Sequence, residues 1–290
     1  MQFSPKPSSL LLLEFRCGSL SIQQKRLLYY PISCYAQQIV QDLLKRMRLA
    51  VIANLVTEVI NKIYPIILIQ IVHERIGMDK FGFAQFGITL VELSVPFIIF
   101  GYDVYSAILF NKETSIKSRG ELIASNLLLR LANSALIFLG VLLWLSQTSL
   151  DNHTKSLVFI LCFTLFTNAL DSSWVLNGLQ KTTLLSLFIF FSKLSTFTII
   201  LFSVHASDDA ILYAVLSSST GALVNIATLV YALKRFPARL PSRQTLARLF
   251  RTSIPFAIIA ILTIIFQRMD MVAARLWVND YELGLFAGPF

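Results

Sequence analysis

Several ionisable side chains fall inside long apolar runs of this 290-residue chain: Glu58, Lys62, Glu92, Arg130, Asp171, Lys193, Arg268, Asp270 and Arg275. A charge at the centre of a bilayer costs about 2.5–3.5 kcal/mol even on the mildest insertion scales, so such groups face a partner or a wet cavity rather than lipid. Glu58 and Lys62 stand four residues apart on one helical face, where they can neutralise each other. Arg275 lies near the end of its run and can snorkel to the interface. Lys62, Arg130, Lys193 and Arg268 come from four different runs, and spacing dedicates no acid to each. Turned into one shared aqueous cavity, they would favour an anionic cargo such as a phosphate or pyrophosphate head group. Arg offers bidentate phosphate contacts and Lys a compact point charge. The competing reading pairs them with Glu92, Asp171 and Asp270 as structural ion pairs. Asp171, Asp270 and Glu58 are also candidates for ion coupling, because protonation or ion binding would remove their cost in lipid.

Other chemistry is sparse. His73, His153 and His205 fall singly between the apolar runs, and no HExxH, GxSxG, GxxxxGK[ST] or GxGxxG pattern occurs. No catalytic residue, cofactor site or metal site is expected from these residues. Cys17, Cys34 and Cys162 form no CxxC pair, and Cys162 reads as a small hydrophobe inside an apolar run.

The elements that must carry these groups follow from composition. Hydrophobic residues make up 56% of the chain and charged residues 14%, with a mean hydropathy of +0.69. A soluble domain is roughly half apolar and about a quarter charged. The apolar excess is gathered into runs of about 20 residues, the length that crosses a bilayer as a helix. The expected spans are Leu49–Val72, Phe81–Tyr102, Leu122–Leu145, Ser156–Asn177, Leu184–Val204, Ala210–Leu233 and Ser253–Trp277. The fold class is therefore an all-α polytopic membrane protein with about seven transmembrane helices, since backbone groups in lipid must be bonded internally.

The net charge of +9 is explained by topology and needs no nucleic acid. Lys6, Arg16, Lys25, Arg26, Lys45, Arg46 and Arg48 precede the first span. Lys112, Lys117 and Arg119 follow the second, Lys181 the fourth, and Lys234, Arg235, Arg239, Arg243, Arg248 and Arg251 the sixth. The alternate segments carry only Arg75, Lys80 and Lys155. The positive-inside rule then places the N-terminus in the cytoplasm. Residues 1–48 read as a cytoplasmic extension, or as sequence ahead of a true start at Met47. Residues 234–251, basic with apolar Leu240, Leu246 and Phe250, read as an amphipathic helix on an anionic leaflet. The segment Asp103–Glu121 reads as a weaker version of the same.

Four places in the chain carry a family likeness. The first span leads into Arg75-Ile-Gly77-Met-Asp-Lys-Phe81-Gly82. A polar segment runs from Gly101-Tyr102 to Ser118-Arg119-Gly120. The fourth span ends Asp171-Ser-Ser-Trp174-Val-Leu-Asn-Gly178, with Val175, Leu176 and Asn177 departing from an aromatic-aromatic-Gln pattern. The seventh closes with Arg268-Met-Asp270 and then Gly284-Leu-Phe286-Ala287. In order and spacing, over Met47–Phe290, these resemble the bacterial O-antigen and capsular polysaccharide flippases, within the multidrug/oligosaccharidyl-lipid/polysaccharide exporters. An internal echo accompanies the likeness. Arg75 to Gly82 follows the first span and Arg275 to Gly284 the seventh; Asp79 precedes Phe81-Gly82 and Asp280 precedes Leu283-Gly284. Six spans separate the copies, the parity of parallel repeats.

The resemblance implies two six-helix lobes around a central cavity. Residues 49–233 would form the first lobe, 234–251 a basic cytoplasmic loop, and 252–290 the start of the second, so the chain reads as truncated. It also implies undecaprenyl-pyrophosphate-linked oligosaccharide as substrate, alternating access as mechanism, a bacterial inner-membrane location, and other polysaccharide-assembly membrane proteins as neighbours. Lys62, Arg130, Lys193 and Arg268 would hold the anion. A membrane enzyme of glycan assembly, a polymerase or acyltransferase, fits less well, because no loop between spans is long and no His or Asp pair sits at a span end. A cation-coupled multidrug exporter on the same scaffold would typically carry cationic cargo, which a cavity rich in Lys and Arg disfavours.

Overall fold

A computed structural model describes residues 51–52, 55–148, 152–275 and 277–287. The readings of residues 1–48 lie outside the described residues. The chain divides into two compact units at Ile52, and every helix from Leu55 onward belongs to the second, Ala53–Phe290.

Ten α-helices are described. They are α1 Leu55–Ile76, α2 Met78–Ile99, α3 Tyr102–Lys112, α4 Ile116–Gln147, α5 Asn152–Ala169, α6 Ser173–Gly178, α7 Thr182–Ser203, α8 Ala210–Arg235, α9 Arg243–Ala274 and α10 Asp280–Ala287. A 3-10 turn, Ser207–Asp209, leads into α8. Two pairs form single broken spans: α2 with α3, and α5 with α6. Counted so, seven helical segments are long and apolar enough to cross a membrane, one for each expected span. They are apolar around most of their circumference, as helices with lipid on one side and apolar neighbours on the other must be. Large side chains such as Leu136, Phe202 and Phe266, 68%, 77% and 93% exposed, would be costly in water. In lipid they are at home.

The structure departs from expectation at two places. Residues 103–121 were expected as a surface segment. Instead the second span bends at Phe100 (φ 47°) and Gly101 (φ 67°) and continues for eleven residues as α3. The chain then turns, and α4 begins at once with Ser115 as its N-cap, its Oγ accepting from the Lys117 amide at 3.3 Å. The basic stretch 234–251 forms no helix of its own. α8 runs through Arg235, residues 236–242 cross over as a non-helical strap, and α9 runs unbroken from Arg243 to Ala274. Pro237 and Pro241 remove amide donors within the strap, and Ser242 starts α9 by accepting from the Thr245 amide at 3.1 Å.

Three clusters form the core among the described residues, the smallest being Phe86, Met271 and Leu283. The largest joins α1, α2, α4, α5, α7 and α8 through residues such as Val72, Phe81, Ile88, Leu157, Leu161, Ile200 and Ala214. The second centres on Phe110 of α3. That ring meets Trp174 of α6 edge-on at 5.6 Å and Phe236 of the strap at 5.1 Å. The Arg119 guanidinium lies 4.8 Å above the same ring.

The internal echo has a physical meaning: its two copies touch. At the start of α2, a Cβ on Gly82 would stand 2.1 Å from the Asp280 carbonyl oxygen and 2.6 Å from the Gly284 amide. One on Gly284 would stand 2.3 Å from the Met78 carbonyl. Glycine on both helices lets the backbones close to this distance. An Arg275–Asp280 ion pair braces the turn before α10, and the Arg275 guanidinium lies 5.5 Å over the Phe86 ring of α2.

Candidate functional site

Arg130 stands midway along α4 and is fully buried. One end of its guanidinium forms an ion pair with the Asp103 carboxylate; the other donates to the Asp171 backbone carbonyl. The positions of these partners explain the arrangement. Asp103 comes directly after the Phe100–Gly101 bend. Asp171 lies in the break between α5 and α6. A broken helix leaves carbonyls without amide donors, and in lipid such groups are tolerated only where protein satisfies them. A single guanidinium therefore secures the breaks of two neighbouring spans.

A buried polar layer surrounds it. The Asp171 carboxylate accepts from the Ser173 amide at 2.8 Å and from its hydroxyl at 3.1 Å, so it caps α6. Asn126 of α4 donates to the Ser106 hydroxyl of α3 at 2.9 Å. Asn133, two turns on, donates to the Phe97 carbonyl just before the bend at 3.1 Å. Asn225 of α8 donates to the Thr167 carbonyl at 3.0 Å. Each bond takes up a backbone or side-chain group that lipid could not.

The structure distributes the other charged residues differently from a single shared cavity. Lys193 of α7 lies with its Nζ 5.1 Å from the Tyr64 ring centroid of α1. It borders an apolar groove of about 230 Å³ between α1 and α7, whose walls include Ile60, Ile63, Tyr64, Phe190 and Phe197. No ion pair joins Glu58 to Lys193 or to Lys62 among the described residues. Lys62 and Glu58 are both exposed. Arg268 of α9 pairs with Glu92 of α2 at 2.8 Å, each side chain about 40% exposed. Asp270 is exposed and accepts from the Met271 amide at 2.8 Å. Arg268 thus pairs with Glu92, one of the acids the ion-pair reading names, and Arg130 with Asp103, which it does not name, while Lys62 and Lys193 have no carboxylate partner among the described residues.

Asp103 was missed as a partner because its segment reads as a surface loop. One signal was available: it is the first acid after the second apolar run, two residues past a glycine that ends it. Tyr64, the ring beneath Lys193, carried no sequence signal beyond its place in a span.

Seven long apolar segments, two of them broken and stitched at depth by buried polar side chains, define a multi-pass α-helical membrane protein. The chain belongs to the polysaccharide biosynthesis protein family, whose sequence model matches residues 48–290. Comparisons with curated proteins and with solved structures give no match.

Proposed function

We propose that this protein is a flippase for lipid-linked oligosaccharide, carrying undecaprenyl-pyrophosphate-linked O-antigen or capsular repeat units across the bacterial cytoplasmic membrane by alternating access. Membership of the family supports the reading, since its members are generally transporters rather than enzymes. The observation that carries it furthest is the α1–α7 groove. An isoprenoid pyrophosphate is an apolar chain ending in a concentrated negative charge. The groove is lined by apolar side chains and by Lys193, a cation with no carboxylate at ion-pair distance among the described residues. Lys62 on α1 supplies a second cation without an ion-pair partner among the described residues, and Arg268 a third once Glu92 releases it. Arg130, held by its own partners, acts by positioning the broken helices instead of touching cargo. Among the acids, Glu58 suits ion coupling best because it stands one turn from Lys62 on α1, exposed, with no ion pair among the described residues. The Asp171 carboxylate is engaged by the first amide of α6, and Asp270 has no cation at ion-pair distance among the described residues. The excess of Lys and Arg in alternate loops supports a cytoplasmic N-terminus.

The test is reconstitution with a fluorescent lipid-linked oligosaccharide. Lys193→Ala is expected to slow flipping by roughly 10- to 100-fold, the worth of a hydrogen bond to a charged group, and Lys193→Arg to retain most activity. A folded triple variant with Ala at Lys62, Lys193 and Arg268 that flips at the wild-type rate sinks the proposal.

A further inference from the structure

The strap between α8 and α9 is fixed at both ends and free in the middle. At its start Phe236 is buried on Phe110, and the Pro237 carbonyl sits where a Cβ on Gly120 would stand only 2.2 Å away. The position must stay glycine for the strap to lie on α4. At its end the Glu121 carboxylate accepts from the Ser242 amide at 3.0 Å and from the Thr245 hydroxyl at 2.7 Å. Both anchors are on the first turns of α4, so the residues between them must bulge outward. That bulge presents Arg239 and Leu240, the latter 96% exposed.

A concavity lies between the bulge and the start of α4, lined by Ser115, Lys117, Ser118, Glu121, Arg239 and Leu240. Glu121, its one carboxylate, is already engaged by Ser242 and Thr245. Lys117 and Arg239 have no ion-pair partner among the described residues. The rim around them is basic as well, with Lys112, Lys234, Arg235 and Arg243 all exposed. This surface sits where α8 ends and α4 and α9 begin, at the ends of segments long and apolar enough to cross a membrane.

We propose that this concavity binds the head group of an anionic phospholipid. Lys117 and Arg239 contact the phosphate, Arg through its planar fork and Lys as a point charge, and Leu240 inserts among the acyl chains beside it. The leucine points to lipid over free phosphate: a soluble anion gains nothing from an apolar side chain held out at the rim, whereas a phospholipid covers it. The site is separate from the α1–α7 groove, and its ligand is a bilayer lipid and not the cargo. An occupied site would clamp the strap, and with it the α8–α9 connection, to one leaflet.

The test is native mass spectrometry of the detergent-solubilised full chain titrated with dioleoylphosphatidylglycerol, dioleoylphosphatidylcholine and inorganic phosphate. The expected result is selective binding of phosphatidylglycerol. Lys117→Gln with Arg239→Gln should reduce that preference roughly 30-fold, the effect of two basic side chains at an anionic surface. Leu240→Ser should weaken both lipids without changing their ratio. Because these residues are exposed, the variants keep the fold, which an unchanged thermal midpoint verifies. The control is Lys80→Gln with Lys155→Gln, outside this rim. An equal loss in that control would show bulk electrostatics and overturn the proposal, as would competition by phosphate as effective as that by lipid. Flipping assays on the same variants keep this outcome distinct from the proposed function, which can fail while the lipid site stands.

Discussion

Asp103→Ala is expected to destabilise the protein by about 3–5 kcal/mol, the cost of stranding one member of a buried ion pair. The guanidinium it abandons cannot turn to water, because Arg130 is fully buried. Arg130→Ala should cost a similar amount and also strip the Asp171 carbonyl of its donor. Thermal unfolding in detergent micelles measures both. The decisive variant is the double replacement of Arg130 and Asp103 by Leu. Removing both charges together often restores stability, since neither is then left unpaired. Recovery of the midpoint with poor flipping would show that the pair serves transport through the helix breaks and is not required for stability. A wild-type midpoint in Asp103→Ala would mean that the ion pair does not hold the breaks. Loss of export in Arg130 variants is therefore informative about cargo only where the variant is shown to be folded.

Gly82→Val carries the second large effect. The clash is with backbone, the Asp280 carbonyl and the Gly284 amide, so no side-chain rotation relieves it. Overpacking costs about 1–3 kcal/mol where neighbours can yield; here α10 must separate from α2. Separation would also pull on the cluster of Phe86, Met271 and Leu283 that closes the same junction. The expected results are a lower midpoint and new protease cleavage near residues 275–280, with Gly82→Ala intermediate. An unchanged midpoint and cleavage pattern in Gly82→Val would show that this close crossing does not stabilise the fold.

The seven spans were legible because length and hydropathy are local properties, and the bilayer sets both. The echo around Gly82 and Gly284 was legible too, although its sense as a point of contact was not. What sequence spacing could not show was pairing between helices. The partners of Arg130 lie 27 and 41 residues away, beyond the reach of any periodicity argument. Asp103 consequently read as a loop residue, when it belongs to a helix whose polar face is matched by α4. The local rule misled at Glu58 and Lys62, which are correctly spaced yet form no ion pair. It misled again at residues 234–251, where the basic and apolar pattern outweighed the plain signal of Pro237 and Pro241. Of the four cations singled out, the spans were right and the shared direction was not: Arg130 turns inward to its own acid, Arg268 pairs with Glu92, and Lys193 faces an apolar groove.

The attachment of both helix breaks to Arg130 has a mechanical consequence. Two rods bent at unconnected points flex separately, but when one side chain ties the two bends together, moving one bend strains the other. Beyond that tie, α3 and α6 are also in contact through Phe110 and Trp174. Tied at both places, α3 and α6 would be expected to move together, so that a tilt begun in the second span would load the fourth.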